Sequence, residues 1–207
     1  DAQLGRLLAR VSQAGEMENT VVVVTSDHGR YLGAHGMDGH NYGAFEEIYN
    51  IPLLVSGPGI AAGEVTDARV GLHDLCPTIL DLAGVAGKKA PDSCSFAGLL
   101  GDPAGQDQRF QKGYAEYHGT RFPLAQRIYW DGDWKFVFNG FDYDELYNLT
   151  DDPGEVHNLI DDPNQVDRIK IMMKGIWERA VATGDKPLAT SQYYALQLGV
   201  VGPEWQQ

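Results

Sequence analysis

An acidic residue and a histidine, Asp27 and His28, stand side by side where a run of β-branched residues ends. A carboxylate beside an imidazole can bind one divalent cation, because the oxygen suits Ca²⁺ or Mg²⁺ and the nitrogen tolerates Mn²⁺ or Zn²⁺. Two ligands are too few for a complete coordination sphere, so further ligands have to come from elsewhere. Taken alone, the pair is better explained as an Asx turn followed by a half-exposed histidine.

The elements around the pair favour a site. Residues 20–25 are β-branched and apolar on both faces, which predicts a strand buried within an α/β sheet. Ligands of such sheets collect beyond the carboxyl ends of the strands, where Asp27 and His28 lie. Residues 51–56 predict a second strand, ended by Gly57-Pro58-Gly59. The loop between the two strands is rich in glycine and histidine, and it carries Gly33, His35, Gly36, His40, Phe45, Glu46 and Glu47.

Helices are predicted on either side of these strands. Residues 1–15 place leucines at helical spacing, and residues 74–85 do the same with Leu75, Ile79 and Leu82. Between about residues 90 and 108 the sequence turns to Gly, Pro, Asp and Ser, which is typical of a surface connection. We therefore predict two domains, 1–107 and 108–207.

The second predicted domain is a small antiparallel sheet with a helix. GYAEYHG predicts a strand, and QRIYW and KFVFN predict a hairpin around Asp131-Gly132-Asp133. Asp161-Asp162-Pro163 opens a last amphipathic helix, with an inner face of Val166, Ile169, Met173, Ile176 and Trp177. The hairpin aromatics are predicted to pack on that helix instead of forming a stacking platform; they are Tyr129, Trp130, Trp134, Phe136 and Phe138.

The composition argues against two classes of partner. A net charge of -13 would repel a phosphate backbone, so nucleic acid is not expected. No apolar run approaches the roughly 20 residues that span a bilayer, and the first residues lack a signal-peptide pattern, so no membrane contact is expected. A bacterial cytoplasm or periplasm would suit such a chain. Cys76 and Cys94 are too few for a disulfide framework and are expected to be buried.

Five blocks stand in order along the chain: TSDHGRYLGAHGMDGH, FEE, IPLLVSGPGI, HDLCPTILDLAGV and DWKFVFNGFDYDELYNLTDDPGEVHNL. Together they resemble the back half of a sulfatase catalytic domain, from about residue 1 to residue 159. The resemblance implies an α/β fold: the C-terminal part of an alkaline phosphatase-like mixed sheet with flanking helices, plus a small antiparallel-sheet α+β subdomain. It also implies that Asp27 and His28 bind a divalent cation, Ca²⁺ first, with Mn²⁺ or Mg²⁺ as alternatives.

The resemblance gives the loop histidines a role at the ester. His35 matches a family histidine near the ester-binding face. The family's sulfate-contacting lysine stands five residues further on, where this sequence has His40. Lysine is a permanent charge at pH 7, whereas a histidine with an ordinary pKa near 6.5 is mostly neutral there. A site with His40 would be tuned to lower pH or would take its missing charge from another cation. His35 and His40 are the predicted catalytic residues.

Substrate contacts are predicted where the first strand of the second domain ends. Similar proteins shape the substrate pocket with loops in this region, so His118 and Arg121 are the candidates. The alternative for Arg121 is a surface ion pair, which is worth little when exposed. Asp142, Asp144 and Glu145 lack the interleaved pattern of a calcium hand, and a solvated turn is predicted there.

The sequence departs from the family at the nucleophile. Sulfatases use a Cys/Ser-x-Pro-x-Arg motif converted to formylglycine, whose hydrate attacks sulfur while the cation polarises the ester oxygens. The 207 residues contain no such motif, and Cys76-Pro77-Thr78 lacks both the spacing and the arginine. We expect the formylglycine in a missing N-terminal half and the chain alone to be inactive.

Three functions fit these residues. The first is a sulfuric ester hydrolase acting on a sulfated small molecule or sugar. The second is a phosphodiesterase or phosphonate monoester hydrolase of the same superfamily, and the third is a noncatalytic binding module. A sheet cut through its middle exposes a strand edge and an apolar face. Self-association, or association with the missing half, is therefore expected.

Overall fold

The computed structural model describes residues 1–40, 42–87, 92–104, 108–119, 126–140, 142–185 and 188. The chain divides into two compact units. The first unit comprises Asp1–Asp27, Ile51–Ala68 and Leu72–Asp107, and the second comprises His28–Asn50, Arg69–Gly71 and Gln108–Gln207. The histidine-bearing loop thus belongs to the unit that contains the second half of the chain. The domains 1–107 and 108–207 stay a prediction.

The helices and strands follow the order expected from the sequence. The helices are α1 (Ala2–Gln13), α2 (Glu46–Tyr49), α3 (Leu75–Leu82), α4 (Ala97–Gly101) and α5 (Val166–Thr183). The strands are β1 (Val22–Thr25), β2 (Leu53–Ser56), β3 (Lys112–Tyr117), β4 (Gln126–Asp131), β5 (Trp134–Asn139) and β6 (Glu145–Asn148). The predicted first and last helices, the helix after residue 74, both early strands and the later hairpin are confirmed.

In the first unit, β1 and β2 pair in antiparallel fashion, with Val22 opposite Ser56 and Thr25 opposite Leu53. The three valines of β1 are half-buried and Thr25 is exposed. The prediction that β1 is buried on both faces is therefore wrong for the described residues. The reason is that the described part of this sheet has two strands, so β1 has one strand neighbour there.

Buried polar groups hold α3 in place. The Oδ1 atom of Asp74 accepts the N–H of Cys94 at 2.9 Å, and Thr78 donates to the Asp74 carbonyl at 2.7 Å while accepting the N–H of Phe96 at 3.0 Å. These bonds bury the Thr78 face of the helix. Cys76, two residues earlier, lies on the opposite side. Cys76 is exposed and Cys94 half-buried, so the prediction of two buried cysteines is wrong.

The second unit is built on a four-stranded antiparallel sheet in the order β3-β4-β5-β6. Side chains alternate across a strand, so neighbouring residues pack on opposite faces. One face joins α5 in a core of Tyr129, Phe136, Phe138, Leu146, Ile169, Met172, Met173, Ile176, Trp177 and Ala180. The inner face predicted for α5 is confirmed except at Val166, which is 40% exposed.

The opposite face of this sheet receives the histidine-bearing loop. Ile128, Trp130 and Val137 cluster there with Ala44 of the loop. The expectation that Trp130 packs on the last helix is wrong, because its neighbour Tyr129 takes the α5 face and strand alternation turns Trp130 away from it.

A buried ion pair ties the end of α5 to β4. Arg127 donates from Nε to Oδ2 of Asp185 at 2.6 Å and from Nη2 to Oδ1 at 2.9 Å. Both side chains are buried. Two parallel bonds between planar groups fix direction as well as distance, so the pair orients the chain that leaves the helix.

Within the part of the chain that the structure describes, none of the helices combines the length and the apolarity that a membrane span requires.

Candidate active site

The loop from His28 to Asn50 is closed at its base by Gly29. The N–H of Gly29 donates to the carbonyl oxygen of Ile48 at 2.9 Å. A Cβ at Gly29 would lie 1.8 Å from the carbonyl oxygen of Glu47. Only glycine lets the two arms of the loop approach this closely, so residue 29 fixes where His28 stands relative to α2.

His28 and His40 lie against each other. Their ring centroids are 4.1 Å apart and the ring planes differ by 13°. The Nδ1 atom of His28 is 2.8 Å from the carbonyl oxygen of Gly29. Because a carbonyl can only accept, Nδ1 is the donor in this contact. His28 is predicted from the sequence to bind a cation and His40 to be a catalytic residue, and the structure brings the two rings into contact.

His35 is held in one orientation by its neighbours. Its backbone is left-handed, with φ of 53°, a conformation that costs a residue other than glycine. The imidazole stacks on Phe45, with centroids 3.7 Å apart and planes 14° apart. Its Nε2 atom is 3.4 Å from Oε2 of Glu47, and the side chain is only 16% exposed. That carboxylate oxygen is buried and accepts no hydrogen bond from the described residues, so the contact is a close approach of the carboxylate to the ring nitrogen and not a well-formed hydrogen bond.

Tyr31 supports the same ring from its edge. The Tyr31 ring lies 6.3 Å from the His35 ring at an interplanar angle of 81°. Its hydroxyl donates to the carbonyl oxygen of Tyr42 at 2.7 Å. Burial raises the pKa of Tyr31, and the nearby Glu47 carboxylate raises it further. The hydroxyl therefore stays a neutral hydrogen-bond donor across the physiological pH range.

A group of four residues, here called the Glu46 clamp, fixes the start of α2 to the sheet. Glu46 Oε1 accepts from Trp130 Nε1 at 2.8 Å and from Lys135 Nζ at 3.0 Å. The Glu46 N–H donates to Glu155 Oε2 at 2.6 Å, and Lys135 Nζ is 2.7 Å from Glu155 Oε1. Burial raises the pKa of Glu155, and the Lys135 charge opposes that shift. Sequence reasoning missed the clamp, although a lysine inside the apolar strand KFVFN was a signal for it.

The predicted metal ligands have donor chemistry that fits a cation. Asp27 is exposed at the end of β1, and Ser26 Oγ donates to its Oδ1 atom at 3.4 Å. The Nδ1–H of His28 is held by a backbone carbonyl, the arrangement that orients metal-bound histidines. Among the described residues, no group of three or more His, Cys, Asp or Glu side chains could hold a metal ion. A cation bound by Asp27 and His28 would need ligands from outside that set.

The predicted substrate contacts are placed in part. His118 is exposed at the end of β3, and its Nε2 atom is 2.8 Å from Glu116 Oε2 on the same strand. Arg121 lies outside the described residues. The structure therefore gives His118 a carboxylate partner and leaves the role of both residues a prediction.

The turn at residues 142–145 is less solvated than predicted. Asp142 is exposed, but Asp144 is half-buried and accepts the N–H of Asn139 at 2.8 Å. Burial raises the pKa of Asp144 to about 6. Glu145 accepts from the Asn139 amide at 2.7 Å and from the Tyr147 hydroxyl at 2.8 Å. These carboxylates hold the turn between β5 and β6 together, so the solvated-turn prediction is wrong for Asp144 and Glu145.

The fold and the histidine-bearing loop define an alkaline phosphatase-like α/β protein. Residues 1–85 match the Sulfatase family model, and the chain is similar to sulfatases over most of its length, as the sequence resemblance implied. It is 31% identical over 185 residues to an arylsulfatase of Volvox carteri and 32% identical over 161 residues to an N-acetylglucosamine-6-O-sulfatase of Bacteroides thetaiotaomicron. Each match covers 74% of this chain and 28% of the relative.

Solved structures confirm the fold class. One, determined in complex with its substrate D-glucosamine-2-N,6-O-disulfate, aligns with a TM-score of 0.80 at 28% identity, over 87% of this chain and 38% of that one. A phosphonate monoester hydrolase from Silicibacter pomeroyi aligns with a TM-score of 0.78 at 26% identity, over 91% of this chain and 40% of that one. The chain thus spans 28% to 40% of the length of these four proteins.

Proposed function

We propose that the parent protein is a sulfatase-type hydrolase of sulfate esters and that this chain supplies part of its cation-binding and ester-binding site. One observation carries the proposal: Asp27, His28, His35 and His40 all fall within the residues that match the Sulfatase family model. A sulfated sugar is the proposed substrate class. The relative named N-acetylglucosamine-6-O-sulfatase, and the disulfated glucosamine bound as substrate in one solved structure, support that choice.

In this proposal Asp27 and His28 are ligands of a divalent cation, Ca²⁺ first and Mn²⁺ or Mg²⁺ as alternatives. A bound cation polarises the ester oxygens and stabilises the charge that develops on them. His40 stands in for the family's lysine and stacks on the ring of His28, which keeps its nitrogens beside the cation ligand. His35, fixed by Phe45 and Glu47, faces the ester.

The remaining parts of the reaction come from outside these residues. The nucleophile is proposed to be a formylglycine, as the resemblance to sulfatases implies. It is proposed to lie outside these residues, because no Cys/Ser-x-Pro-x-Arg motif occurs in the 207 residues. The chain by itself is therefore expected to be inactive, since the covalent step needs that group. His118 and Arg121 are proposed as substrate contacts.

The test uses the full-length parent protein. An aryl sulfate and 6-O-sulfated glucosamine are assayed with the unaltered enzyme and with Asp27→Ala and His28→Ala. Each variant is expected to lose at least about 10²-fold in kcat/KM together with cation affinity, as loss of a metal ligand should cause. Asp38→Asn, an exposed change in the same loop, is the control. Sulfate turnover that survives Asp27→Ala would remove Asp27 from the proposed site.

A second candidate is hydrolysis of a phosphorus ester. It is favoured by the alignment with a phosphonate monoester hydrolase at a TM-score of 0.78. The same full-length enzyme separates the two functions when phenyl phosphonate monoesters and phosphate diesters are assayed beside the sulfates. A kcat/KM larger for phosphorus than for sulfur would replace the first proposal with this one.

A further inference from the structure

Three consecutive residues at the start of α2, Phe45, Glu46 and Glu47, connect the His35 ring to the sheet. Phe45 stacks on the His35 ring at 3.7 Å, and Glu47 faces Nε2 of the same ring at 3.4 Å. Glu46, between them, contacts no loop histidine; it belongs to the Glu46 clamp on the sheet. Phe45 and Glu47 are the chain neighbours of Glu46. A contact that fixes the position of Glu46 therefore also fixes these two residues, which hold the His35 ring.

The fixed end of the clamp is Lys135. Its backbone lies within β5, paired with Trp130 of β4 on one side and Tyr147 of β6 on the other. Its side chain is completely buried. A buried ammonium needs close partners, because removing an unpaired charge from water is strongly unfavourable. Here the partners are two carboxylates, Glu46 at 3.0 Å and Glu155 at 2.7 Å.

The other anchors of the loop are apolar. Among its described residues the buried side chains are Tyr31, Ala44 and Ile48, and the rings of Phe45 and Tyr49 meet those of Tyr147 and Trp130 on the sheet. Two of its residues other than glycine, Leu32 and His35, have positive φ, which favours relaxation to other conformations when the ends are released. The clamp supplies the charged contacts that hold the 45–47 segment on the sheet.

We propose that Lys135 is a positioning residue for His35: it locates Glu46, and thereby the Phe45 ring and the Glu47 carboxylate between which the imidazole is held. This inference rests on the proposed function in one respect: the role of His35 at the ester. The geometric claim, that Lys135 sets the orientation of the His35 ring, stands independently and can be tested in the 207-residue chain.

The experiment is NMR of the 207-residue chain with ¹⁵N-labelled histidine. In the unaltered chain, Phe45 should shift the His35 ring protons upfield, and the long-range ¹H–¹⁵N pattern should show the Nε2–H tautomer that a facing carboxylate favours. The variant is Lys135→Met with Glu155→Gln, which removes the ammonium without leaving two carboxylates facing each other. The upfield shift and the single tautomer are both expected to be lost. The control is Arg30→Gln, which breaks an exposed ion pair with Asp38 in the same loop and should change neither.

Other outcomes decide against the proposal. A folded double variant with unchanged His35 signals overturns it. If the double variant does not fold, Trp130→Phe replaces it, because this change removes an uncharged donor to Glu46. The His35 ring signals should then lose part of their upfield shift. Hydrogen exchange of the unaltered chain adds a measurement that needs no variant. The Glu46 amide should exchange at least about 10²-fold more slowly than exposed loop amides, and fast exchange would overturn the proposal.

In the full-length enzyme the two proposals fail differently. If the proposed function is wrong, sulfate esters are not hydrolysed, yet the NMR signature still depends on Lys135. If the positioning role is wrong, the signature is insensitive to Lys135 even when the enzyme hydrolyses sulfate esters. When both hold, the double variant lowers kcat by about 10-fold or more with KM little changed, because an orienting contact acts on the reacting geometry.

Discussion

The imidazole rings of His28 and His40 lie parallel, with centroids 4.1 Å apart. One is a proposed cation ligand and the other occupies the place of the family's sulfate-binding lysine. A lysine's ammonium on a flexible stem needs no stacking partner, whereas a planar imidazole can rest on another ring. The substitution therefore links the two positions, because the ring proposed to face the ester also supports the ring proposed to bind the cation.

Two changes at His40 should separate these effects in the full-length enzyme. His40→Phe keeps a flat ring against His28 but removes its nitrogens, so cation affinity should stay within about threefold while kcat falls about 10²-fold. His40→Ala removes the ring as well and should weaken cation binding by about 10-fold or more, as the loss of groups that orient a ligand does. Calorimetry with Ca²⁺ and steady-state kinetics provide the two readouts. Equal cation affinities for the two variants would show that the stack does not orient His28.

Gly29 should be the least replaceable glycine of the loop. In Gly29→Ala the new methyl group would lie 1.8 Å from the carbonyl oxygen of Glu47, a backbone atom that cannot move without displacing α2. The free energy of unfolding in urea should fall by about 2–4 kcal/mol. Gly5→Ala is the matched control, because a Cβ at Gly5 in α1 meets no atom within 4 Å, and it should stabilise by up to about 1 kcal/mol. Equal effects from the two changes would rule out the close approach.

The elements that the sequence predicted well are those with a local signal. The period of leucines in α1, the β-branched run of β1 and the turn at Asp131-Gly132-Asp133 each specify their own structure. The face on which a side chain lies was predicted less well. Cys76 and Trp130 lie in correctly predicted elements but on the face opposite to the one expected. Which face is buried depends on the element that packs against it, and the local sequence does not specify that element.

The loop shows the same limit at the site. His28, His35 and His40 could be singled out from their residue types and from the family resemblance. Their contacts could not be singled out, because the ring of His35 is held by Phe45 and Glu47, and these in turn by Lys135 in a distant strand. Such contacts join residues far apart in sequence, and no periodic pattern marks them. The buried lysine in KFVFN was the one visible sign that a charged partner had to exist.

Asp144 should make stability depend on pH. Its pKa in the folded chain is raised by burial to about 6 from 3.8, so the folded state holds this proton more tightly than the unfolded state does. Its contribution to stability is fully present below about pH 3.8 and is lost as pH rises through about 6. Asp144→Asn keeps an oxygen to accept the N–H of Asn139 and removes the charge. Unfolding free energies measured from pH 4 to 8 should fall less with pH in the variant.

The size of this effect is limited by partial exposure of Asp144, and about 1 kcal/mol across that range is expected. Asp142→Asn removes one charge from the same turn and controls for the altered net charge. Parallel pH profiles for Asp144→Asn and the unaltered chain would contradict the role of Asp144.

Breaking the buried Arg127–Asp185 ion pair should lower the free energy of unfolding far more than breaking an exposed ion pair does. Asp185→Ala leaves a buried guanidinium without its carboxylate, so the free energy of unfolding should fall by about 3–5 kcal/mol. Arg127→Met combined with Asp185→Leu removes both charges and should recover most of that loss. Lys112→Gln breaks a 3.2 Å pair with Asp131 that is partly exposed, and should cost less than about 1 kcal/mol. A loss below about 1 kcal/mol for Asp185→Ala would mean that water reaches the pair.

Apolar surface in the first unit leads us to expect association with a second copy or with the remainder of the parent protein. The exposed large apolar side chains of this unit are Leu7, Met17, Leu54, Val65, Leu72, Ile79 and Val85. In sedimentation velocity, the isolated 207-residue chain should form larger species as its concentration rises. Leu7→Ser and Leu54→Thr should each move the midpoint about tenfold higher, because burying a leucine contributes roughly 1.5 kcal/mol or more. Leu32→Ser, at an 80% exposed leucine of the second unit, should leave the midpoint unchanged. A monomer at every concentration would show that this apolar surface does not drive the chain to associate with itself.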